Sequence, residues 1–391
     1  MVKKKVISIL LGLVIVIGAI SGGFIYYLSI NKKTQTESLY VRIYVNSTIY
    51  DSIFTEINQY KQEIINQGHS VDVINWSSTS VITLKSNIND SYYNNGLNGV
   101  IFIGEIPYLL VQHWDVAYGV TRSYPSDLFL MDLDGSWTYG ANGLIDIDQN
   151  EHTNGTGDWT PEIWLARINP NSIDVPNFNY TNAYKDYFSR NNKFRNGETD
   201  RSHKALLYID DDWSDYKDEW LSNFTAYTGS EVDCYYDDPT TTANYYMNNI
   251  TNENYEFVHL LAHSWAHQHQ FGPNGDMTEG VVTCNDLYTN TTTALFYNLY
   301  ACFSCNFDQK NNTGTYYLFS PNVETLTVIG SARDGGLDLY QPFYDALKEG
   351  KPIGEAFRIW FHNPEIIKWN KEQLYHGMTI FGDPLLTIYM T

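Results

Sequence analysis

The sequence predicts an α/β protein of two consecutive subdomains with mostly parallel sheets, preceded by one N-terminal transmembrane helix. Three observations carry this. Short apolar runs alternate with amphipathic stretches of helical spacing, the pattern of strands joined by crossover helices. That rhythm halts at a polar break, NNKFRNGETDR, and restarts after residue 197. Finally, Val6 to Ile30 carries no charge between Lys3-Lys4-Lys5 and Lys32-Lys33, a run longer than the roughly 20 apolar residues that cross a bilayer as a helix.

Residues 1–33 are therefore assigned to the anchor and 34–39 to a polar stalk. In the subdomain 40–196, Tyr40–Val45 reads as a strand, and Ile53, Ile57, Tyr60 and Ile64 recur at helical spacing until Gly68 stops the helix. Val71–Trp76, Gly99–Gly104 and Glu162–Ile168 are further strands, followed by a helix over Asn182–Phe194. In the subdomain 197–391, strands fall at Ala205–Ile209, Glu256–Ala262, Leu295–Ala301 and Leu326–Gly330. Helices are expected over Tyr216–Tyr227, Leu337–Leu347 and Ile353–Phe361.

Composition supports a folded body. The chain is 43% hydrophobic, with 32 Tyr, 18 Phe and 10 Trp, enough to bury a large core, which excludes disorder for most of it. Asp and Glu number 45 against 24 Lys and Arg; the first 33 residues hold five lysines and no acid, so the body carries 19 − 45 = −26. Such a polyanion is not a nucleic-acid binder. The four cysteines, Cys234, Cys284, Cys302 and Cys305, are too few and too unevenly spaced for a disulfide scaffold.

Three lysines before the apolar run against two after it place the N-terminus in the cytoplasm and the body on the extracellular side of the cell membrane. Secretion after signal cleavage is the alternative, since Ala19-Ile20-Ser21 offers small residues, but a signal h-region spans only about 7–15 residues. Asn-x-Ser/Thr triplets at Asn46, Asn75, Asn89, Asn154, Asn179, Asn223, Asn249, Asn290 and Asn311 agree with an exterior glycoprotein. Chance in an Asn- and Thr-rich chain explains them as well.

Ligands of open α/β sheets gather at the carboxyl ends of strands. Three strands of the second subdomain end in Asp210-Asp211-Asp212, in His263-Ser264 and in Cys302. A thiol and an imidazole on neighbouring strand ends are the parts of a cysteine hydrolase, in which a thiolate attacks a carbonyl and the imidazolium protonates the leaving amine. A Cys that ends a strand and opens a helix also gains thiolate character from the helix N-terminus. The bland alternative makes Cys302 a small buried residue and His263 a core histidine.

His263-Ser264 after EFVHLLA and Ala301-Cys302 after LFYNLY resemble the His-Gly and Ala-Cys signatures of clan CD cysteine peptidases, the group of caspases, legumains and gingipains. Glu162-Ile163-Trp164-Leu165-Ala166-Arg167, Ala301-Cys302-Phe303-Ser304-Cys305-Asn306-Phe307, Gly350-Lys351-Pro352-Ile353-Gly354 and Phe381-Gly382-Asp383-Pro384-Leu385 resemble gingipain segments, in family order from about residue 40 onward. The resemblance implies two caspase-like subdomains and an endopeptidase acting on proteins or peptides without a catalytic cofactor. By it, Cys302 is the nucleophile, His263 the general acid and Asp212 the carboxylate that orients it, while the backbone N–H groups of Ser264 and Cys302 form the oxyanion hole. Ser264 stands where the family carries Gly, and Cys305-Asn306 where it carries Gly-Asp. The immunoglobulin-like domain that follows in gingipains is not expected here, because the chain stops just beyond Gly382-Asp383-Pro384.

Other chemistries compete for the same residues. His259, His263, His267 and His269, with Cys302 and Cys305, offer a Cys/His zinc site; Cys302-x-x-Cys305 offers a redox dithiol; a catalytically inactive surface binding module uses neither. The acidic loop holding Asp132, Asp134, Asp146 and Asp148 offers oxygen ligands for structural calcium, in keeping with calcium binding by gingipain-like proteins, although it lacks EF-hand spacing. No phosphate-loop, dinucleotide or serine-hydrolase motif occurs in the sequence.

Overall fold

The computed structural model describes residues 38–115, 119–137, 144–146, 160–237, 240–365 and 374–388. The anchor Val6–Ile30 and Asp148 lie outside these residues, as does the side chain of Asp146. Among the described residues no helix is long and apolar enough to cross a membrane.

Among the described residues sixteen strands follow in chain order. They are β1 Tyr40–Asn46, β2 Ser70–Trp76, β3 Gly99–Ile103, β4 Leu109–Asp115, β5 Val120–Ser126, β6 Ile145–Asp146, β7 Trp164–Ile168 and β8 Ala205–Ile209, then β9 Val232–Tyr235, β10 Phe257–Leu261, β11 His263–Trp265, β12 Gln268–Gln270, β13 Val281–Thr283, β14 Phe296–Tyr300, β15 Thr327–Ser331 and β16 Met378–Gly382. Ten of them build one sheet in the order β2-β1-β3-β7-β16-β15-β14-β10-β8-β9. The two runs of strands separated near residue 197 thus lie side by side in a single sheet. Each neighbouring pair is parallel except β15 and β16, which are antiparallel. The strands from β7 outward to β2 therefore run opposite to those from β15 to β9, and only the latter group points its carboxyl ends at Asp212, His263 and Cys302.

The central strands look like unbroken apolar runs because both faces are covered. All five residues of β3, β7, β8, β10 and β15 are buried. On β1, Val41, Ile43 and Val45 face one core while Tyr44 faces the other. Burying each such side chain contributes roughly 1.5–3 kcal/mol.

The helices fit their sequence signals with shifts at the ends. Phe54–Asn66 buries Ile57, Tyr60 and Ile64, and Tyr180–Arg195 begins two residues early because the side chain of Asn179 caps it, accepting from the Asn182 N–H at 3.0 Å. The expected Tyr216–Tyr227 helix is shorter, Lys217–Asn223, and the expected Leu337–Leu347 helix begins only at Gln341 and runs to Lys348, with Pro342 in its first turn. Ile353–Phe361 is helical as expected.

Three of the motif segments are structural. Arg167 on β7 forms a buried ion pair with Asp127 at 2.6 Å, and Thr379 on β16 donates to the same carboxylate at 2.7 Å. Arg195 pairs with buried Asp383, which also accepts from Asn191 at 2.8 Å. Gly354 packs so closely that a Cβ there would meet the Trp164 indole at 2.8 Å.

Candidate active site

The register of two strands sets the site. β10 and β14 are parallel with Leu261 opposite Tyr300, so His263 and Cys302 each stand two residues beyond the last paired position. β8 flanks β10 on the other side with Ile209 opposite Leu261, and Asp212 lies three residues past that point. The Asp210 N–H donates to Leu261 O at 2.8 Å and the Ala262 N–H to Tyr300 O at 3.2 Å, which ties the three strand ends together.

The apolar run EFVHLLA does not continue through His263. It breaks at Ala262, and His263 opens a separate small sheet, β11-β12-β13. Ser264, the departure from the family Gly, is buried within this hairpin, its hydroxyl donating to Gln268 O at 2.9 Å. His263 is partly exposed, and its Nε2 lies 2.8 Å from Asp212 Oδ2. The Asn274 N–H donates to the same oxygen at 2.6 Å. The Trp213 ring lies against the imidazole with centroids 4.7 Å apart. Gly275, at φ +65°, closes the other side, where a Cβ would meet His263 Cβ and Cγ at 2.9 Å. Sequence reasoning missed Asn274 and Gly275; the Gly272-Pro-Asn-Gly275 turn signal marks them.

Cys302 does not open a helix, contrary to the sequence expectation. Residues after Ala301 form a turn, Phe303 adopts φ +59°, and the next helix, Thr313–Phe319, starts only where the Asn312 side chain caps it. The donor to the thiol is instead the Gly335 N–H, 3.3 Å from Sγ. Burial pushes the Cys302 thiol above its ordinary value, and the Gly335 N–H opposes that shift. Gly336 lets this loop pass, since a Cβ would sit 2.5 Å from Tyr300 Cα. The Gly335-Gly336 pair is the signal for it.

Cys305 is wholly buried and its thiol is pushed far up by burial. It packs against Gly314 and Gly330, where added Cβ atoms would approach its Sγ to 2.5 and 2.7 Å. All four cysteines are free thiols. Burial lowers His259 and His269 to about 3, and both are fully inaccessible. His259 Nδ1 meets the Tyr344 hydroxyl at 3.1 Å, His269 Nδ1 the Ser264 hydroxyl at 3.2 Å, and His267 is exposed. Among the described residues the histidines and cysteines assemble no three-ligand group, so the zinc arrangement does not form.

Carboxylates do gather. Asp210, Asp211 and Asp212 lie together beside the histidine, and Asp132 and Asp134 are joined by Glu162, each group with ligand atoms within 4.8 Å. Burial, with Asp211 adjacent, raises Asp210 to about 8. In the second group Asp132 is buried and accepts from the Gly135 N–H at 2.7 Å and from Trp137 Nε1 at 2.9 Å. Lys85 Nζ donates to the carbonyls of Phe129 and Asp132 at 2.7 and 2.8 Å. The oxygen donors there suit calcium, with the Lys85 ammonium as the competing cation.

Two solved structures share the fold. One is the crystal structure of the Arg-specific cysteine proteinase gingipain R, at a TM-score of 0.62 and 15% identity, covering 91% of this chain and 79% of that one. The other, described as the structure of a protease, gives 0.64 and 13%, covering 90% and 78%. A comparison with curated proteins finds no match. The model of peptidase family C25 matches residues 33–389. The chain belongs to peptidase family C25, the gingipain family of cysteine peptidases.

Proposed function

We propose that the protein is a membrane-anchored, extracellular cysteine endopeptidase that cuts peptide bonds with Cys302 and His263. The observation carrying this reading is the placement of both residues two positions beyond the paired Leu261 and Tyr300, with Asp212 engaging Nε2 of the imidazole. That engagement makes Nδ1 the ring nitrogen for proton transfer. The Cys302 thiolate adds to the scissile carbonyl, and the backbone N–H groups of Ser264 and Cys302 hold the oxyanion. The proton on Nδ1 passes to the leaving amine as the C–N bond breaks, giving a thioester on Cys302. A water that loses its proton to the imidazole then hydrolyses the thioester. Incubating the body with a peptide library under reducing conditions and mapping internal cuts tests the reading; no cut under any reducing condition favours the inactive binding module.

The anchor and orientation rest on the uncharged run Val6–Ile30 and its lysine flanks. Protease shaving of intact cells should release the body, and release only after lysis would reverse the topology. We also propose calcium at Asp132, Asp134 and their neighbours, where it would stiffen the loop.

A further inference from the structure

We propose that a polar cavity at the carboxyl ends of β1, β2, β3 and β7 binds a neutral oligosaccharide. The inference goes beyond the peptidase reading and does not depend on it. Because β15 and β16 are antiparallel, these carboxyl ends point away from Cys302 and His263, and neither residue lines the cavity. Strand order sets the position. In the sheet β1 lies between β2 and β3, so the chain leaves β1 for one neighbour and returns past it to the other. A crevice opens outside the carboxyl ends at such a reversal, and open α/β sheets take their ligands there. The cavity holds about 570 Å³, within the roughly 300–1,000 Å³ of small-molecule sites. The Asn46 side chain, at the end of β1, donates to Glu105 O after β3 at 2.6 Å, and both residues line the cavity.

The lining suits a ring of hydroxyls better than an anion. Ser47 follows β1, Ser77 and Thr79 follow β2, and Asn169 and Asn171 follow β7. Hydroxyl and amide side chains both donate and accept, as neighbouring sugar hydroxyls require. Tyr108 and Phe307 add an aromatic corner, with ring centroids 5.1 Å apart at 86°, against which the C–H face of a pyranose can be buried. The carboxylates of Glu105 and Asp308 also line the cavity. The Tyr108 hydroxyl donates to Asp308 Oδ1 at 2.5 Å, tying that carboxylate to the corner. Carboxylates accept from sugar hydroxyls and repel phosphate or sulfate. The cations in the lining have partners of their own: Arg167 is paired with Asp127 at 2.6 Å, and Lys310 donates to Asn171 O. An anionic ligand would face two carboxylates and draw Arg167 or Lys310 from these partners, whereas a neutral polyol disturbs neither.

The test measures equilibrium binding of maltotetraose, cellotetraose, mannotetraose and N-acetylchitotetraose to the full chain by calorimetry, in a detergent without a sugar head group. Tetragalacturonate is the anionic counterpart. At least one neutral tetrasaccharide should bind, and tetragalacturonate should not. Ser77 and Asp308 are exposed, so both can be changed with the fold kept. Ser77→Trp places an indole in the cavity and should abolish binding, while Asp308→Ala removes one charged acceptor and should weaken it on the order of tenfold. Cys302→Ala should bind as the wild type does, whether or not the chain cuts peptides. Binding of no neutral tetrasaccharide, binding of tetragalacturonate alone, binding that survives both Ser77→Trp and Asp308→Ala, or binding lost with Cys302→Ala overturns the proposal.

Discussion

The Asp212 Oδ2 atom lies 2.8 Å from His263 Nε2 and accepts from the Asn274 backbone N–H at 2.6 Å. One carboxylate oxygen thus links the loop after β8, the loop after β10 and the turn at Gly275. Because the pair is partly exposed, its worth lies in orientation more than in Coulomb energy. Asp212→Asn presents the imidazole with an amide in place of the carboxylate that orients the ring. Turnover should fall on the order of 10- to 100-fold, with a smaller change in KM. A variant as active as the wild type would remove Asp212 from the account.

Asp210 sits two residues away and behaves differently. Its folded value is raised to about 8, whereas an unfolded Asp ionises near 3.9. The stability it contributes is complete below the unfolded value and is lost as pH rises through the folded one. Asp210→Asn should therefore gain on the wild type between about pH 4 and pH 8 and hold a constant advantage above, on the order of a few kcal/mol. Denaturant unfolding at pH 5, 7 and 9 reads this out; parallel curves for the two proteins would contradict it.

Gly330 on β15 has no room for a methyl group, since a Cβ would approach Cys305 Sγ to 2.7 Å and Ser304 Oγ to 2.8 Å, both buried. Gly330→Ala should cost about 1–3 kcal/mol by overpacking. Adding Cys305→Ala removes the sulfur and should recover part of that loss, a coupling that a double-mutant cycle measures. Additive effects would mean that the two positions do not press on each other.

Much of this arrangement is legible in the sequence because it depends on local pattern. The runs ALLYI, FVHLL and LFYNLY are buried on both faces, so their ends could be read, and with them the gathering of Asp212, His263 and Cys302. The reversal at β16 could not. Met378–Gly382 is short, and its partners Thr327–Ser331 and Trp164–Ile168 are remote in the chain, so only tertiary packing decides its direction. The hairpin of β4 and β5 escaped because β5 buries only Tyr124, Pro125 and Ser126 of its seven residues, leaving no two-residue period. The helix expected at Cys302 failed for a local reason. Phe303 and Asn311 both take positive φ, and the true start is signalled by Asn312, whose side chain accepts from the Thr315 N–H at 2.9 Å.

Calcium at the acidic loop makes a thermodynamic prediction. A cation that binds the folded chain alone raises its melting temperature by mass action, and calcium should do so relative to chelator, with the gain reduced by Asp134→Asn. If Lys85 already supplies the positive charge this cluster requires, the melting temperature will not move with calcium, and the metal has no place there.

The most direct test of the central claim is covalent labelling by a peptide-derived thiol-reactive inhibitor, measured together with single-turnover cleavage, for Cys302→Ala, Cys305→Ala and His263→Ala. Cys302 is the cysteine at the strand end beside His263, while Cys305 is sealed between Gly314 and Gly330. The account predicts that Cys302→Ala loses both labelling and cleavage, that His263→Ala loses cleavage, and that Cys305→Ala keeps most of both. Loss on Cys305→Ala alone would move the nucleophile. Equal loss with either cysteine would indicate a dithiol, and either result would contradict the account.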